Sequence, residues 1–144
     1  MTDTALAAAY RAIRARLAGS GLSWAGRVYG DVIPASVELP VVTYFWQGGG
    51  EANFRRNQDA ELVIIVKAVS YTQAEAFSMA AEIAALLNDK GHTDDADDHL
   101  TASGGWTILT CTQELAVHLV DMWAGAQPVF HEGHQYRLVM EVTS

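Results

Sequence analysis

Residues 62–69 form an apolar, largely β-branched run broken only by Lys67 and bounded by Glu61 and Ser70. Such a run is the pattern of a strand. Side chains alternate across a strand, so Leu62, Ile64, Val66 and Ala68 point one way and Val63, Ile65 and Val69 the other. Burying one Val, Leu or Ile is worth roughly 1.5–3 kcal/mol. Leaving either face in water would therefore forfeit an amount comparable with a domain's whole net stability. The run is a central strand, and both faces need cover. Thr72 and Glu75, spaced as a capping box, open a helix directly after it. The helix carries Ala76, Met79, Ala80, Ile83, Leu86 and Leu87 at helical spacing and stops at residues 88–91, where Gly91 suits a left-handed cap. That helix covers one face. Val63, Ile65 and Val69 on the other are candidate assembly residues, to be covered by a second layer of this chain or by a neighbouring subunit.

Residues 4–18 predict a first amphipathic helix, with Ala5, Leu6, Ala9, Tyr10, Ile13 and Leu17 inward and Arg11, Arg14 and Arg16 toward solvent. The arginine face reads either as solvated surface or as a docking patch. After a short apolar segment at 24–29, Pro40 opens a strand over 41–46. Gln47 and three glycines then break it, and residues 47–60 make a long connection to the central strand. Phe54, Arg55 and Arg56 place an aromatic ring and two cations together in that polar stretch, as binding loops do. The alternative is a mobile connector. Residues 106–112 read as a strand, and 115–123 fit a strand better than a short helix. Residues 134–142 alternate as a final strand, with His131 and His134 flanking a turn at Gly133. The order helix, strands, helix, strands predicts a single α+β domain over 1–144, with a mostly antiparallel sheet and both helices on one face.

The chain has 144 residues, enough for a real core. Its net charge of −8 disfavours electrostatic binding to nucleic acid or to an anionic membrane. No apolar stretch approaches the roughly 20 residues of a membrane span. The lone Cys111 excludes an internal disulfide and sits in an apolar run that predicts burial. His92, Asp94, Asp95, Asp97, Asp98 and His99 cluster in a Gly-punctuated loop. Their spacing is not that of a calcium-binding EF-hand loop, so they predict a solvated loop and no metal site. The triple glycine is followed by no Gly-Lys-Ser/Thr, and the nucleophile-elbow, zinc-protease and Cys-x-x-Cys patterns are absent from the sequence. No catalytic residue and no cofactor is expected.

Several features together resemble the tail terminator proteins of long-tailed bacteriophages, also called tail completion or head-to-tail joining proteins. They are the N-terminal helix; Gly26, Arg27, Val28 and Tyr29 with Pro34; Pro40, Val41 and Val42; the strand over 62–69; and Ser70, Tyr71 and Thr72 opening an Ala-rich helix that ends Ala85, Leu86, Leu87 and Asn88. The strand beginning at Trp106 and the final strand complete the pattern. The resemblance implies a non-enzymatic virion protein, made in the host cytoplasm and located at the tail–head junction. It implies a homo-oligomer, a hexameric ring, that caps the tail-tube protein, stops its polymerisation and meets the head connector or neck protein. Six copies, each at −8, would total −48, letting DNA pass through the channel without specific binding. The different class that the residues leave open is a small soluble enzyme or ligand-binding domain, with Tyr44, Trp46, Trp106 and His118 lining a pocket. Another neck or minor tail protein is the third reading.

Overall fold

The computed structural model of the chain describes residues 4–51, 59–94, 98–101, 104–122 and 126–143. The elements are α1 (Ala5–Ala18), β1 (Val28–Gly30), β2 (Val41–Glu51), β3 (Asp59–Ser70), α2 (Gln73–Leu87), β4 (Trp106–Asp121) and β5 (Val129–Val142). The strands form one sheet in the order β1-β2-β3-β5-β4. Every pairing is antiparallel except the short parallel one between β1 and β2. This is the expected α+β architecture. β3 lies in the middle, paired with β5 from Asp59 opposite Glu141 to Ser70 opposite Phe130.

The alternation in β3 decides where the core sits. Leu62, Ile64, Val66 and Ala68 join Val42 and Tyr44 of β2, Ile108 and Cys111 of β4, and Tyr136, Leu138 and Met140 of β5 beneath the helices. From above, α1 contributes Ala5, Ala8, Ala9, Ala12, Ile13 and Leu17, and α2 contributes Met79, Ile83 and Leu87. Cys111 is buried as expected, and burial pushes its thiol up to about 12, well away from a reactive thiolate.

Both helix starts are capped by threonine: Ala7 N donates to Thr4 Oγ1 at 3.2 Å and Glu75 N to Thr72 Oγ1 at 3.3 Å. The return arm of the expected capping box is replaced. Ser70 Oγ donates to the Glu75 carboxylate at 2.5 Å and accepts from Thr72 N at 3.2 Å, so the end of β3 itself closes the start of α2. Gly91 is not the left-handed residue after α2; Asp89 is, at φ 58°. Gly91 instead lies against β4, where a Cβ would fall 2.3 Å from Thr110 Cα and 2.4 Å from Leu109 O.

Glycine also accounts for two further departures from expectation. β2 does not stop at Gln47 but runs through the triple glycine to Glu51, with a bulge between Trp46 and Gly48. Gly49 has φ +83°, and a Cβ there would lie 2.0 Å from Glu61 O, so the missing side chain lets the β2–β3 ribbon close. The connection therefore shrinks from residues 47–60 to 52–58. Gly133 is no turn either: it is buried inside β5, opposite Lys67 on one side and Val117 on the other. Residues 115–121 are strand, the better-fitting of the two expectations.

The arginine face of α1 is partly consumed by the fold. Arg14 Nη1 donates to Val28 O at 2.8 Å and Arg16 Nε to Leu86 O at 2.9 Å, tying α1 to β1 and to α2. Tyr10 completes the attachment, its hydroxyl donating to Asp31 Oδ1 at 2.6 Å and accepting from Trp46 N at 2.8 Å. Burial, then the Asp31 carboxylate, push that hydroxyl up to about 12.

Gly133→Ala tests the β3–β5 approach, because its new Cβ would meet Val66 O at 2.1 Å and Lys67 Cα at 2.6 Å. Overpacking costs typically about 1–3 kcal/mol, so the urea midpoint should fall accordingly. An unchanged midpoint would show that the two strands do not meet this closely.

Candidate assembly surface

With both helices on one side, the opposite face of the sheet has no second layer among the described residues. Strand register lays its side chains in rows. Val41, Val69, His131 and Leu119 share one row, Thr43, Lys67, Gly133 and Val117 the next, and Phe45, Ile65 and Gln135 the third. The three candidate assembly residues all lie here, but the structure treats them unequally. Ile65 is only 7% exposed and Val69 3%, while Val63 is half-buried. Neighbouring side chains within the chain already bury most of this apolar row, so two-sided apolarity alone does not require a partner subunit.

Lys67 shows how. Its Nζ lies over the Phe45 ring, 5.4 Å from the centroid. Burial pushes its ammonium below the ordinary lysine range, and Asp121 works against that shift. Asp121 Oδ2 is 2.8 Å from His131 Nε2. Burial, then the Lys67 charge, hold the His131 imidazole below its ordinary range, with Asp121 again opposing. A surface depression of about 550 Å³ opens beside this cluster, lined by Gln47, Gly48, Gly49, Glu61, Val63, Gln135 and Arg137. Arg137 in its lining is held at both ends, Nε donating to Glu114 at 3.0 Å and Nη1 to Glu61. Nothing in local spacing signals this triad, whose members come from β5, β4 and β3.

Phe54, Arg55 and Arg56 lie outside the described residues, as do Asp95 and Asp97 of the acidic loop. Asp98 of that loop is held by Lys90 and Arg16, which keep its carboxyl below the usual carboxylate range. Asp94 accepts from Gly91 N at 3.3 Å, and the His92 and His99 rings meet edge to face at 5.0 Å. The pocket of the alternative reading does not form. Tyr44 and Trp106 are buried in the helix-side core, whereas Trp46 and His118 are exposed on β2 and β4, separated by β3 and β5.

On the helix side, Glu132 is buried and pairs with His118 Nδ1, whose ring stacks on Phe77 of α2. His134, two residues on, has a buried Nδ1 without a partner among the described residues, and burial pushes its imidazole below the ordinary range. A base whose pKa is lower folded than unfolded takes up protons on unfolding. Stability from His131 and His134 is therefore full above the unfolded value, about 6.5, and falls as pH drops through the folded values. We expect Tm to fall on acidification below about pH 6.5 and His134→Gln to remove part of that slope. A slope unchanged in the variant would show that His134 is not held neutral.

No protein-family model matches the chain, and no curated protein matches it. Among solved structures, it is similar in fold to a chain in the virion of a native gene transfer agent particle. The TM-score is 0.55 at 18% sequence identity, over 96% of this chain and 95% of that one. At this identity the likeness speaks to the fold, and it spans both chains almost end to end.

Proposed function

We propose that the chain is a structural protein of a phage-like particle, acting as a tail terminator: a ring of copies that caps the tail tube, ends its growth and joins it to the head connector. The observation that carries this reading is the fold likeness to a virion chain over 96% of this one, which agrees with the resemblance read from the sequence. Three features support it. The helix-free sheet face leaves the Val63 depression accessible beside the β2–β3 ribbon. The connection between those strands carries Phe54, Arg55 and Arg56 in its sequence and is the proposed docking element. The charge of −8 per copy suits a ring whose channel must not hold DNA.

Removing the gene from its particle should give tails of uncontrolled length and heads without tails. Tails of normal length on filled heads would overturn the reading. Replacing Phe54, Arg55 and Arg56 together by alanine should shift thermal stability little, since surface substitutions usually change it by under about 0.5 kcal/mol each, yet reproduce the tail defect. Full infectivity in that variant would move docking away from this connection.

A further inference from the structure

Much of the sheet edge is closed by the chain itself. On the β1–β2 side, Val42 N donates to Arg27 O at 2.9 Å, Asp31 N to Tyr44 O at 2.8 Å and Trp46 N to the Tyr10 hydroxyl at 2.8 Å. The Trp46 indole donates to Gly48 O at 2.7 Å. On the β4 side the connection after α2 runs alongside the first half of the strand. His92 N donates to Ile108 O at 2.8 Å, Thr93 N to Leu109 O at 3.0 Å and Asp89 N to Cys111 O at 2.9 Å, while Gln113 N donates to Asn88 Oδ1 at 2.9 Å. There the cover ends. Among the described residues nothing bonds the outer backbone edge of residues 114–121, although β5 stays paired on the inner side as far as Asp121 opposite Val129.

This open stretch contains no lysine and no proline, two of the devices that blunt a sheet edge, and beyond the bulge between Gln113 and Ala116 it runs regularly to Asp121. It is also apolar, with Leu115 70% and Leu119 46% exposed and Val120 exposed beside them. Its charged groups are engaged within the chain, Glu114 by Arg137, Asp121 by His131 and His118 by Glu132. An unpaired strand edge with apolar side chains accepts another apolar strand.

We propose that the open edge of β4 pairs with the same edge of a second copy, antiparallel about a two-fold axis at Val117. The sequence carries the choice of partner. A two-fold axis perpendicular to the sheet keeps like faces together, so each residue meets one on its own face. Centring the axis on Val117 sets Val117 opposite itself, Leu119 opposite Leu115 and His118 opposite Ala116. Leu115, Val117 and Leu119 thus form an apolar row that reads the same in both directions. Moving the axis to His118 would place Asp121 opposite Leu115, and moving it to Ala116 would carry Leu119 past the bulge between Gln113 and Ala116. The paired sheets become continuous, with all helices on one side. This goes beyond the ring reading and does not rest on it: a two-fold contact closes at two copies, so it describes the free protein.

Sedimentation velocity over a concentration series should show a dimer. Residues facing each other in an antiparallel pair have Cα atoms about 4.5–5.5 Å apart, within disulfide range. Val117→Cys should therefore oxidise to a covalent dimer and nothing larger, and the buried Cys111 adds no background. Leu119→Lys, at an exposed position, should keep the circular dichroism of the parent and weaken the dimer by roughly tenfold or more. Adding Leu115→Glu should restore it, because the two new charges then face each other across the axis. A protein that stays monomeric up to about 0.1 mM, or a dimer that resists Leu119→Lys and does not cross-link through Val117→Cys, would overturn the proposal. Hexamers without that cross-link would overturn the edge contact and leave the ring standing. Cross-linked dimers from a gene whose loss spares the tails would do the reverse.

Discussion

The burial of the helix-side row of β3 holds the rest of the structure in place. Leu62, Ile64, Val66 and Ala68 are each at most 2% exposed, and a buried side chain of the larger three is worth roughly 1.5–3 kcal/mol. The row fixes more than its own strand. A slip of one residue would turn it outward, so it sets the register of β2 on one side and β5 on the other. It also places Ser70, whose hydroxyl links Thr72 N to the Glu75 carboxylate and so fixes where α2 begins. The helix that covers the row is therefore aimed by the strand it covers.

The other face obeys a different economy. A single sheet with helices on one side ordinarily leaves its second face half wet, yet Val41, Thr43, Ile65 and Val69 are all buried there. Long side chains do the covering: Lys67 lies across Phe45, and His131 is anchored by Asp121. The cation and the imidazole are both pushed toward their neutral forms by that burial. Covering part of an apolar row with an imidazole held below its ordinary range makes the face sound at neutral pH and less so in acid.

Much of the fold was legible because it rests on periodicity and short-range capping. The period-2 run in β3, the helical stripe of α2 and the threonine caps each depend on residues within a turn or a strand of one another, which a sequence displays directly. Glycine was the main source of error. Read as a breaker, it ended β2 too early, made a turn of Gly133 and gave Gly91 a cap it does not form. In the structure Gly49 supplies a positive φ, whereas Gly91 and Gly133 permit backbone contact with distant strands. Close approach depends on what lies opposite, and no local spacing records that. The Arg137, Glu61 and Glu114 triad was invisible for the same reason, its pairs lying 76 and 23 residues apart. The assembly residues were half legible: alternation put Val63, Ile65 and Val69 on one face, but could not show that cross-strand neighbours already bury two of them.

The sheet edge brings these points together. A subunit meant to assemble must remain soluble alone while keeping some surface unsatisfied, and here the unsatisfied surface is backbone. The chain closes much of the edge with Tyr10, the Trp46 indole and the segment after α2. It leaves residues 114–121 uncovered among the described residues. Because Glu114, Asp121 and His118 each have a partner within the chain, the row between them presents apolar side chains to whatever binds there. Selection must then come from register, the match of an apolar row to an apolar row two residues at a time. A contact of that kind is broken by a single misplaced charge, and favours a partner whose apolar residues repeat the spacing of Leu115, Val117 and Leu119.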